Sequence, residues 1–169
     1  MLHTFQNMPV DMVELDPFIK FGKEHAILMA EKDGKVNGMT ISWGTMGVLW
    51  NKNIVTVFVR DSRYTKEFMD ASDTFSVNFF DHKEKNALNY FGAVSGRIED
   101  KMTTCHFNAN EHKNISFIDE ANFVLVCKKL AATKLEDESF VDMDIKKEWY
   151  EEGDYHTMYV GEIVDFLAR

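Results

Sequence analysis

The sequence predicts a mainly β protein, a β-barrel with short inserted helices, and two observations carry this prediction. About six or seven runs rich in β-branched and aromatic residues follow one another at short intervals, which is typical of a barrel or a sandwich. Only a few short segments between these runs have the apolar spacing of a helix. We favour an antiparallel barrel, although periodicity alone does not separate it from other β-rich folds.

The first half of the chain contains a predicted hairpin and an interior strand. His25 to Glu31 and Val36 to Trp43 are apolar-rich runs on either side of a polar turn with one glycine. Ile54 to Arg60 is β-branched and aromatic throughout, so we expect a strand that is buried on at least one face.

A short helix is predicted directly after this strand, between Ser62 and Ser72. Its apolar residues recur at helical spacing, and Asp61 or Ser62 could serve as the N-cap. The first turn of the helix would then contain Arg63, Tyr64 and Thr65.

The second half of the chain adds further strands around one more helix. Thr74 to Phe80 alternates as a strand does, and Lys83 to Phe91 has one apolar helical face. Phe123 to Leu130 and Tyr155 to Ala168 are predicted strands, and Gly161 suits a bulge in the second of them.

Length and composition predict a single domain over residues 1–169. The chain is 45% hydrophobic and 13% aromatic, which is enough for one full core at this length. A net charge of -9 argues against a nucleic-acid or anionic-membrane partner. No apolar run approaches the roughly 18 residues that span a bilayer, and no secretory leader is recognisable. With few thiols in the chain, a cytoplasmic location is expected.

The two cysteines have different surroundings. Cys127 lies inside an apolar run and should be a buried structural thiol. Cys105, His106 and His112 could be interpreted as a metal site, but they lack the doubled Cys or His pairs of zinc sites. We therefore predict a solvated loop at this position and no bound metal.

Three segments combine the residue types that could hold a phosphorylated ring. Asn37 to Trp50 (NGMTISWGTMGVLW) joins a polar strand to a tryptophan and a Gly-x-x-Gly turn, which suits a flat polar ring. Arg60 to Phe68 (RDSRYTKEF) and Ser95 to Lys101 (SGRIEDK) each combine cations with small hydroxyls or glycine, which suits a phosphate.

A simpler interpretation of the cations is open at this point. Arg63 and Lys101 could be solvated charges that pair with Glu67 or Asp100, as surface charges usually are.

In this order the three segments resemble the flavin reductase-like family of FMN-binding split β-barrels, and in particular its flavoredoxin-like branch. That branch has N-x-M-T-x-S-W-G-x-x-G-x-L-W, then R-Y-T-x-E-F, then S-G-R-x-x-D-K, and the likeness spans roughly residues 25 to 165. The resemblance implies an FMN-binding split barrel that forms a homodimer with its flavins near the interface.

The resemblance favours phosphate binding by the cationic segments. The phosphate of FMN would be held by Arg60, Arg63, Tyr64, Thr65, Ser95, Gly96 and Lys101. The isoalloxazine ring needs hydrogen-bond donors along its pyrimidine edge. The residues proposed to bind it are Asn37, Met39, Thr40, Ser42 and Trp43.

Strand alternation sorts these ring-binding residues into two faces. Thr40 and Ser42 should point to one face, and Met39, Ile41 and Trp43 to the other, so that Met39 and Ile41 pack inside. For Trp43, a core aromatic residue is the competing interpretation.

Tyr155 and His156 are candidates for the substrate side of the site, because D-Y-H motifs also occur in the family. A histidine at a strand edge is nevertheless more often a structural hydrogen-bonding group than a proton carrier. The chain departs from the family pattern at residues Thr103 to Ser116, a segment expected to border the substrate side of the flavin. The resemblance therefore does not define the electron donor and acceptor.

The function that the resemblance implies is two-electron chemistry at FMN, without catalytic side chains. The leading hypothesis is an NAD(P)H-dependent flavin reductase that passes a hydride from the nicotinamide to FMN and onward to a second flavin or another small acceptor. The alternative is a non-enzymatic electron carrier that serves a basic protein redox partner. A third candidate is an FMN- or haem-binding protein of the same fold without turnover.

Overall fold

The computed structural model describes all 169 residues, and an eight-stranded antiparallel sheet forms its centre. The strands of this sheet are β1 (Gln6–Met8), β2 (Ala26–Lys32), β3 (Lys35–Ile41), β4 (Gly44–Leu49), β5 (Lys52–Arg60), β6 (Thr74–Phe79), β9 (Phe123–Lys134) and β10 (His156–Ala168). A separate hairpin is formed by β7 (Ala109–His112) and β8 (Ile115–Ile118). The main sheet has the order β3-β2-β6-β9-β10-β5-β4, and β1 pairs with the end of β10.

The helices are short and lie in the connections between strands. They are α1 (Pro17–Ile19), α2 (Thr65–Ala71), α3 (Lys85–Ala93), α4 (Lys101–Thr104) and α5 (Met143–Trp149), with a π-helical turn at Lys20–Glu24 and 3₁₀ turns at Val10–Met12, His82–Glu84 and Asp137–Ser139. The longest helix, α3, has nine residues, and no helix has the length and apolar character needed to cross a membrane.

The connection between β3 and β4 shows how the sheet closes. These strands lie at opposite ends of the sheet, yet only Ser42 and Trp43 separate them along the chain. The three steps from Ile41 to Gly44 span at most about 10 Å when extended, so the sheet must curve until its two edges meet. Because no strand pairing crosses this seam, the barrel is split there. The predicted β-barrel with short inserted helices is confirmed.

Alternation along β2 produces two apolar layers. Ala26 and Leu28 face the barrel interior, whereas Ile27 and Met29 face an outer layer. The interior cluster includes Val57, Phe75, Val77, Leu125 and Tyr159. The outer cluster includes Leu88 and Phe91 of α3 and Ile115, Phe117 and Ile118 of the hairpin. Being covered on both faces, β2 needs the continuous apolar run that the sequence shows.

The helix predicted from Ser62 begins later, at Thr65. The two candidate caps are engaged elsewhere: the Ser62 hydroxyl donates to Asp154 (2.6 Å), and Asp61 forms an ion pair with Lys134 (2.5 Å). The chain therefore makes a turn at Arg63 before α2 starts, with the Arg63 amide donating to the Arg60 carbonyl. Arg63 and Tyr64 precede the helix instead of lying in its first turn, so this part of the prediction is wrong.

The predicted bulge in the last strand is confirmed. The pairing of β10 with β9 shifts its register between Val160 and Gly161. A Cβ atom at Gly161 would lie 2.4 Å from Cζ of Phe75, so the close approach of this ring requires glycine. Cys127, which is fully buried in the barrel interior, also agrees with its prediction.

The solvated loop predicted around Cys105, His106 and His112 is correct only in part. Cys105 and His106 lie in a turn after α4, where His106 is exposed, whereas His112 belongs to strand β7. The segment folds as α4 and the β7–β8 hairpin, whose residues Ile115 and Phe117 are buried in the outer layer. The hairpin turns through Lys113 and Asn114, both in the left-handed region at φ 52° and 62°. An Asn at such a turn was the available signal in the sequence.

Candidate functional site

A cavity of about 190 Å³ lies between the start of β3, the turn before α2 and the segment that follows α3. It is lined by Asn37, Ser62, Arg63, Tyr64, Thr65, Gly92, Ala93, Val94, Ser95, Gly96 and Lys101. We call it the cation cavity. All three sequence segments contribute to it, so the fold brings Asn37 together with six of the seven predicted phosphate ligands.

Two cations of the cation cavity lack a carboxylate partner. Arg63 Nη1 donates to the Gly92 carbonyl at 3.1 Å, and Lys101 Nζ donates to the Gly38 carbonyl at 2.6 Å. The acids proposed in the simpler interpretation are engaged elsewhere. Glu67 forms an ion pair with Arg97, and Asp100 caps α4. Arg63 and Lys101 are thus held by neutral carbonyls, in a protein with net charge -9.

Burial changes the ionisation of both groups. Desolvation, and then the positive charge of Arg63, together lower the pKa of Lys101 to about 8. Desolvation also lowers the pKa of the Arg63 guanidinium. A bound anion would offset both effects, because an opposite charge within a few ångströms favours the protonated form.

Asn37 and Gly96 close one side of the cation cavity. The Asn37 amide donates to the Thr65 hydroxyl at 2.8 Å, which fixes both side chains. A Cβ atom at Gly96 would lie 2.0 Å from Oδ1 of Asn37, so no larger residue fits there. The glycine therefore allows the SGRIEDK backbone to reach the polar floor of the cavity.

A second cavity of about 170 Å³ lies further along β3, beside the seam of the barrel. We call it the seam cavity. It is lined by Met39, Thr40, Ile41, Ser42, Trp43, Phe58, Arg60 and His156. Met39 and Ile41 are buried in the barrel interior as predicted, whereas the Thr40 hydroxyl donates to the Leu88 carbonyl at 2.5 Å.

Trp43 is not a core aromatic residue, because 41% of its surface is exposed. β3 ends at Ile41, so the strand alternation predicted as far as Trp43 stops before it. The indole packs edge-on against Trp149 at 5.0 Å between ring centroids and lies 5.3 Å from the His156 ring.

Arg60 is separated from the other predicted phosphate ligands. Its guanidinium donates to the carbonyls of Asp154 (2.7 Å) and Trp149 (3.2 Å) and lies over the Tyr150 ring at 5.1 Å. Arg60 therefore borders the seam cavity, where it fixes the segment between α5 and β10. Arg60 was predicted to bind the phosphate together with Arg63, but it does not line the cation cavity.

His156 and Tyr155 differ in their relation to the seam cavity. His156 lines it, and its Nδ1 lies 2.6 Å from the Tyr150 hydroxyl. Burial, and then the charge of Arg60, lower the pKa of His156 to about 4, so the ring is neutral at neutral pH. Tyr155 instead stacks on Tyr150 and hydrogen-bonds Asp137, outside this cavity.

Sequence reasoning missed the aromatic residues that surround the seam cavity. Phe58 was assigned only to a strand, and Trp149 and Tyr150 come from a stretch without a clear pattern. The sequence feature that could have indicated these residues is the density of aromatic residues near Tyr155. Conversely, no residue of Thr103 to Ser116 lines either cavity, so the structure does not place this segment at the site as expected.

The fold and these cavities define a split β-barrel with two pockets along β3, one lined by Arg63 and Lys101 and the other by aromatic residues. The flavin reductase like domain matches residues 19–169, and the chain belongs to this family. It is thus a flavin-binding oxidoreductase in the general sense of that family. No curated protein matches the chain by sequence.

Solved structures share this fold. The chain is similar to a flavoredoxin from Methanosarcina acetivorans, with 26% identity, a TM-score of 0.68, and coverage of 86% of this chain and 68% of that one. An FMN-binding domain of a flavin reductases-like enzyme from Shewanella baltica gives 16% identity, a TM-score of 0.69, and coverage of 99% and 78%. An FMN-binding protein from Thermus thermophilus gives 19% identity, a TM-score of 0.68, and coverage of 86% and 71%.

Proposed function

We propose that the chain binds FMN with its phosphate in the cation cavity. The observation that carries this proposal is the pair of cations Arg63 and Lys101. Lys101 is buried and Arg63 is partly buried, and both donate to backbone carbonyls instead of forming an ion pair. A terminal phosphate has the charge and the acceptor oxygens to satisfy both. Hydroxyls of Thr65 and Ser95 border the same cavity and supply further donors.

The isoalloxazine ring is proposed to occupy the seam cavity along β3. β3 is an edge strand, so every second residue turns its backbone N–H and C=O away from β2. The carbonyl of Gly38, which accepts from Lys101, is one of these outward groups. By the two-residue period the backbone of Thr40 also faces outward, into the seam. Its N–H can meet the pyrimidine edge of the ring, with Ser42 and Trp43 beside it.

The activity that we propose is NAD(P)H-dependent flavin reduction. Bound FMN would supply the chemistry, accepting a hydride from NADH or NADPH and passing the electrons to a second flavin or another small acceptor. The side chains would bind and orient: Arg63 and Lys101 hold the phosphate, and His156 stays uncharged beside the ring. No protein acid or base is needed for hydride transfer, which agrees with the depressed pKa of His156.

The second candidate function is an electron carrier that exchanges electrons with a protein. Similarity to a flavoredoxin at 26% identity favours it, and the net charge of -9 suits docking to a basic partner. For either function we propose that the chain forms a single domain. We also propose that it acts as a homodimer, because Val48 (72% exposed) and Trp50 (60%) leave the β4 edge apolar and uncovered.

The purified protein tests both candidates. We expect a yellow protein that releases FMN, not FAD, when it is denatured, because the cations and hydroxyls of the cation cavity suit one terminal phosphate. Anaerobic NADH or NADPH should then bleach the flavin absorbance within seconds in stopped flow. Bleaching by dithionite but by neither nucleotide would favour the carrier, and a colourless protein that also fails to bind added FMN would refute the proposal.

A further inference from the structure

Helix α5 (Met143–Trp149) leaves its apolar side chains at the surface. None of its seven residues is buried, although a helix of a globular protein usually packs its apolar face on the core. Ile145 is 47% exposed and Trp149 45%. These two residues are four positions apart, so they lie on the same side of the helix. We call them the apolar face of α5.

The segment that contains α5 carries most of the net charge of the protein. Residues 136–154 include nine acidic and two basic residues, a net charge of -7, whereas the whole chain has -9. The other 150 residues together therefore carry only -2. Five acids of this segment are exposed and form no ion pair: Glu138, Asp144, Glu148, Glu151 and Glu152. The apolar face of α5 thus lies within a strongly acidic surface.

This acidic surface reaches the seam cavity through one pair of rings. The Trp149 indole packs edge-on against Trp43, with 5.0 Å between the ring centroids, and Trp43 lines the seam cavity. Arg60 holds the segment in place, because its guanidinium donates to the carbonyls of Trp149 and Asp154. The apolar face of α5 is therefore one side chain away from the cavity proposed for the isoalloxazine ring.

A second copy of the chain does not suit this surface. In a two-fold dimer both subunits use the same patch, so two segments of net charge -7 would be brought together, which is unfavourable. The homodimer proposed above uses other residues, Val48 and Trp50. A protein whose basic residues surround an apolar centre matches both features, because protein interfaces combine an apolar core with a polar rim.

We propose that the apolar face of α5 and the acidic residues around it form the docking surface for a basic electron-transfer protein. This inference rests on the proposed function in its electron-carrier form, because it is the flavin in the seam cavity that gives a partner at Trp149 a reason to dock there. Complementary charge would steer the partner to this part of the surface, and contact with Ile145 and Trp149 would hold it.

Calorimetry with cytochrome c as the probe tests the charge requirement. Cytochrome c is a small basic haem protein, and its lysine-acetylated form has the same fold without most of the positive charge. We expect the unmodified form to bind at least about tenfold more tightly at low ionic strength, and added salt to reduce this difference. Equal affinity for the two forms, or no binding of either, would overturn the proposal.

Two double variants of equal net charge locate the docking surface. Glu148→Gln/Glu151→Gln removes two charges beside the apolar face of α5. Glu14→Gln/Glu111→Gln is the matched control, since both residues are exposed acids outside the segment and form no ion pair. We expect the first variant to weaken binding of cytochrome c at least about threefold and the control to bind like the parent. Equal losses would show that the overall charge attracts the probe, and the proposal would be wrong.

Ile145→Ser tests the apolar contact. We expect this variant to bind cytochrome c several-fold more weakly, whereas Met12→Ser, at an apolar position that is 70% exposed, should bind like the parent. Parent-like affinity of a folded Ile145→Ser protein would contradict the proposal. Dissociation of an oligomer by Ile145→Ser alone would also contradict it, because a second copy would then cover α5.

The FMN-loaded protein and the apoprotein are both titrated with cytochrome c. If the parent binds no FMN, the proposed function fails. Binding of cytochrome c to the apoprotein still decides whether the surface docks a basic protein, so the two failures are distinguishable.

Discussion

Arg63 and Lys101 both donate to the carbonyl oxygen of Phe91, at 3.5 and 3.2 Å. Phe91 lies in the last turn of α3, where backbone carbonyls have no partner within the helix. The negative end of the helix dipole therefore holds two cations side by side. Because both cations bond to carbonyls and not to a carboxylate, their remaining N–H donors are available for the proposed phosphate.

Removing either cation should weaken FMN binding while the fold is retained. We expect Arg63→Ala and Lys101→Met each to cost about 1.5–3 kcal/mol, the usual contribution of a charge-assisted hydrogen bond. Titration of the apoproteins, followed by flavin fluorescence, measures the change. Arg97→Ala is the matched control, because Arg97 is a neighbouring cation that is ion-paired with Glu67 and does not line the cation cavity. Parent-like affinity in both variants would show that neither cation binds the phosphate.

FMN affinity should fall as the pH rises above about 8. Because the pKa of Lys101 is lowered to about 8, its ammonium loses its proton in the free protein above that pH. Binding of a phosphate then requires uptake of a proton, so the dissociation constant should rise by up to about tenfold per pH unit. Lys101→Met should remove most of this dependence. The same slope in the variant would assign the titration to another group.

Gly161→Ala should destabilise the barrel. The added methyl group would lie 2.4 Å from Phe75, a ring that is 1% exposed and has no room to move. Overpacking of this kind costs about 1–3 kcal/mol, and urea unfolding of the two proteins measures it. Gly47→Ala is the control, since its methyl group would contact nothing. An equal midpoint for Gly161→Ala and the parent would mean that the bulge can adjust.

Local patterns predicted the strands, and the family resemblance favoured a phosphate site for Arg63 and Lys101, but neither predicted which groups meet across the sheet. Arg63 and Lys101 were both assigned to the phosphate, and both line the cation cavity. Asn37 was assigned to the ring, but it lines the cation cavity and not the seam cavity. Arg60 was misplaced because its direction depends on the carbonyls of Trp149 and Asp154, which are about 90 residues away along the chain.

The start of α2 was misjudged for the same reason. Ser62 is a good N-cap by residue type, but its hydroxyl bonds Asp154, a tertiary contact that no local pattern contains. The prediction for the hairpin after α4 failed for a different reason. Its strands are only four residues each, too short for alternation to separate them from a polar loop.

Protonation of His156 should contribute to acid unfolding. Its pKa is about 4 in the folded protein and near its ordinary value, about 6.5, in the unfolded chain. The unfolded state therefore binds the proton first as the pH falls, so this contribution to stability is complete above about pH 6.5 and is lost as the pH falls toward 4. Burial and the charge of Arg60 cause the shift, and Tyr150 occupies Nδ1 of the ring.

We expect the free energy of unfolding of the parent to fall by about 1–3 kcal/mol more than that of His156→Gln between about pH 7.5 and pH 4.5. Urea unfolding at both pH values gives this difference, and the carboxylates common to both proteins cancel. Tyr150→Phe keeps His156 and removes only the hydroxyl, so it should retain most of the parent's pH dependence, which burial dominates. If His156→Gln and the parent lost stability in parallel, the imidazole would have to titrate near its ordinary value in the folded protein.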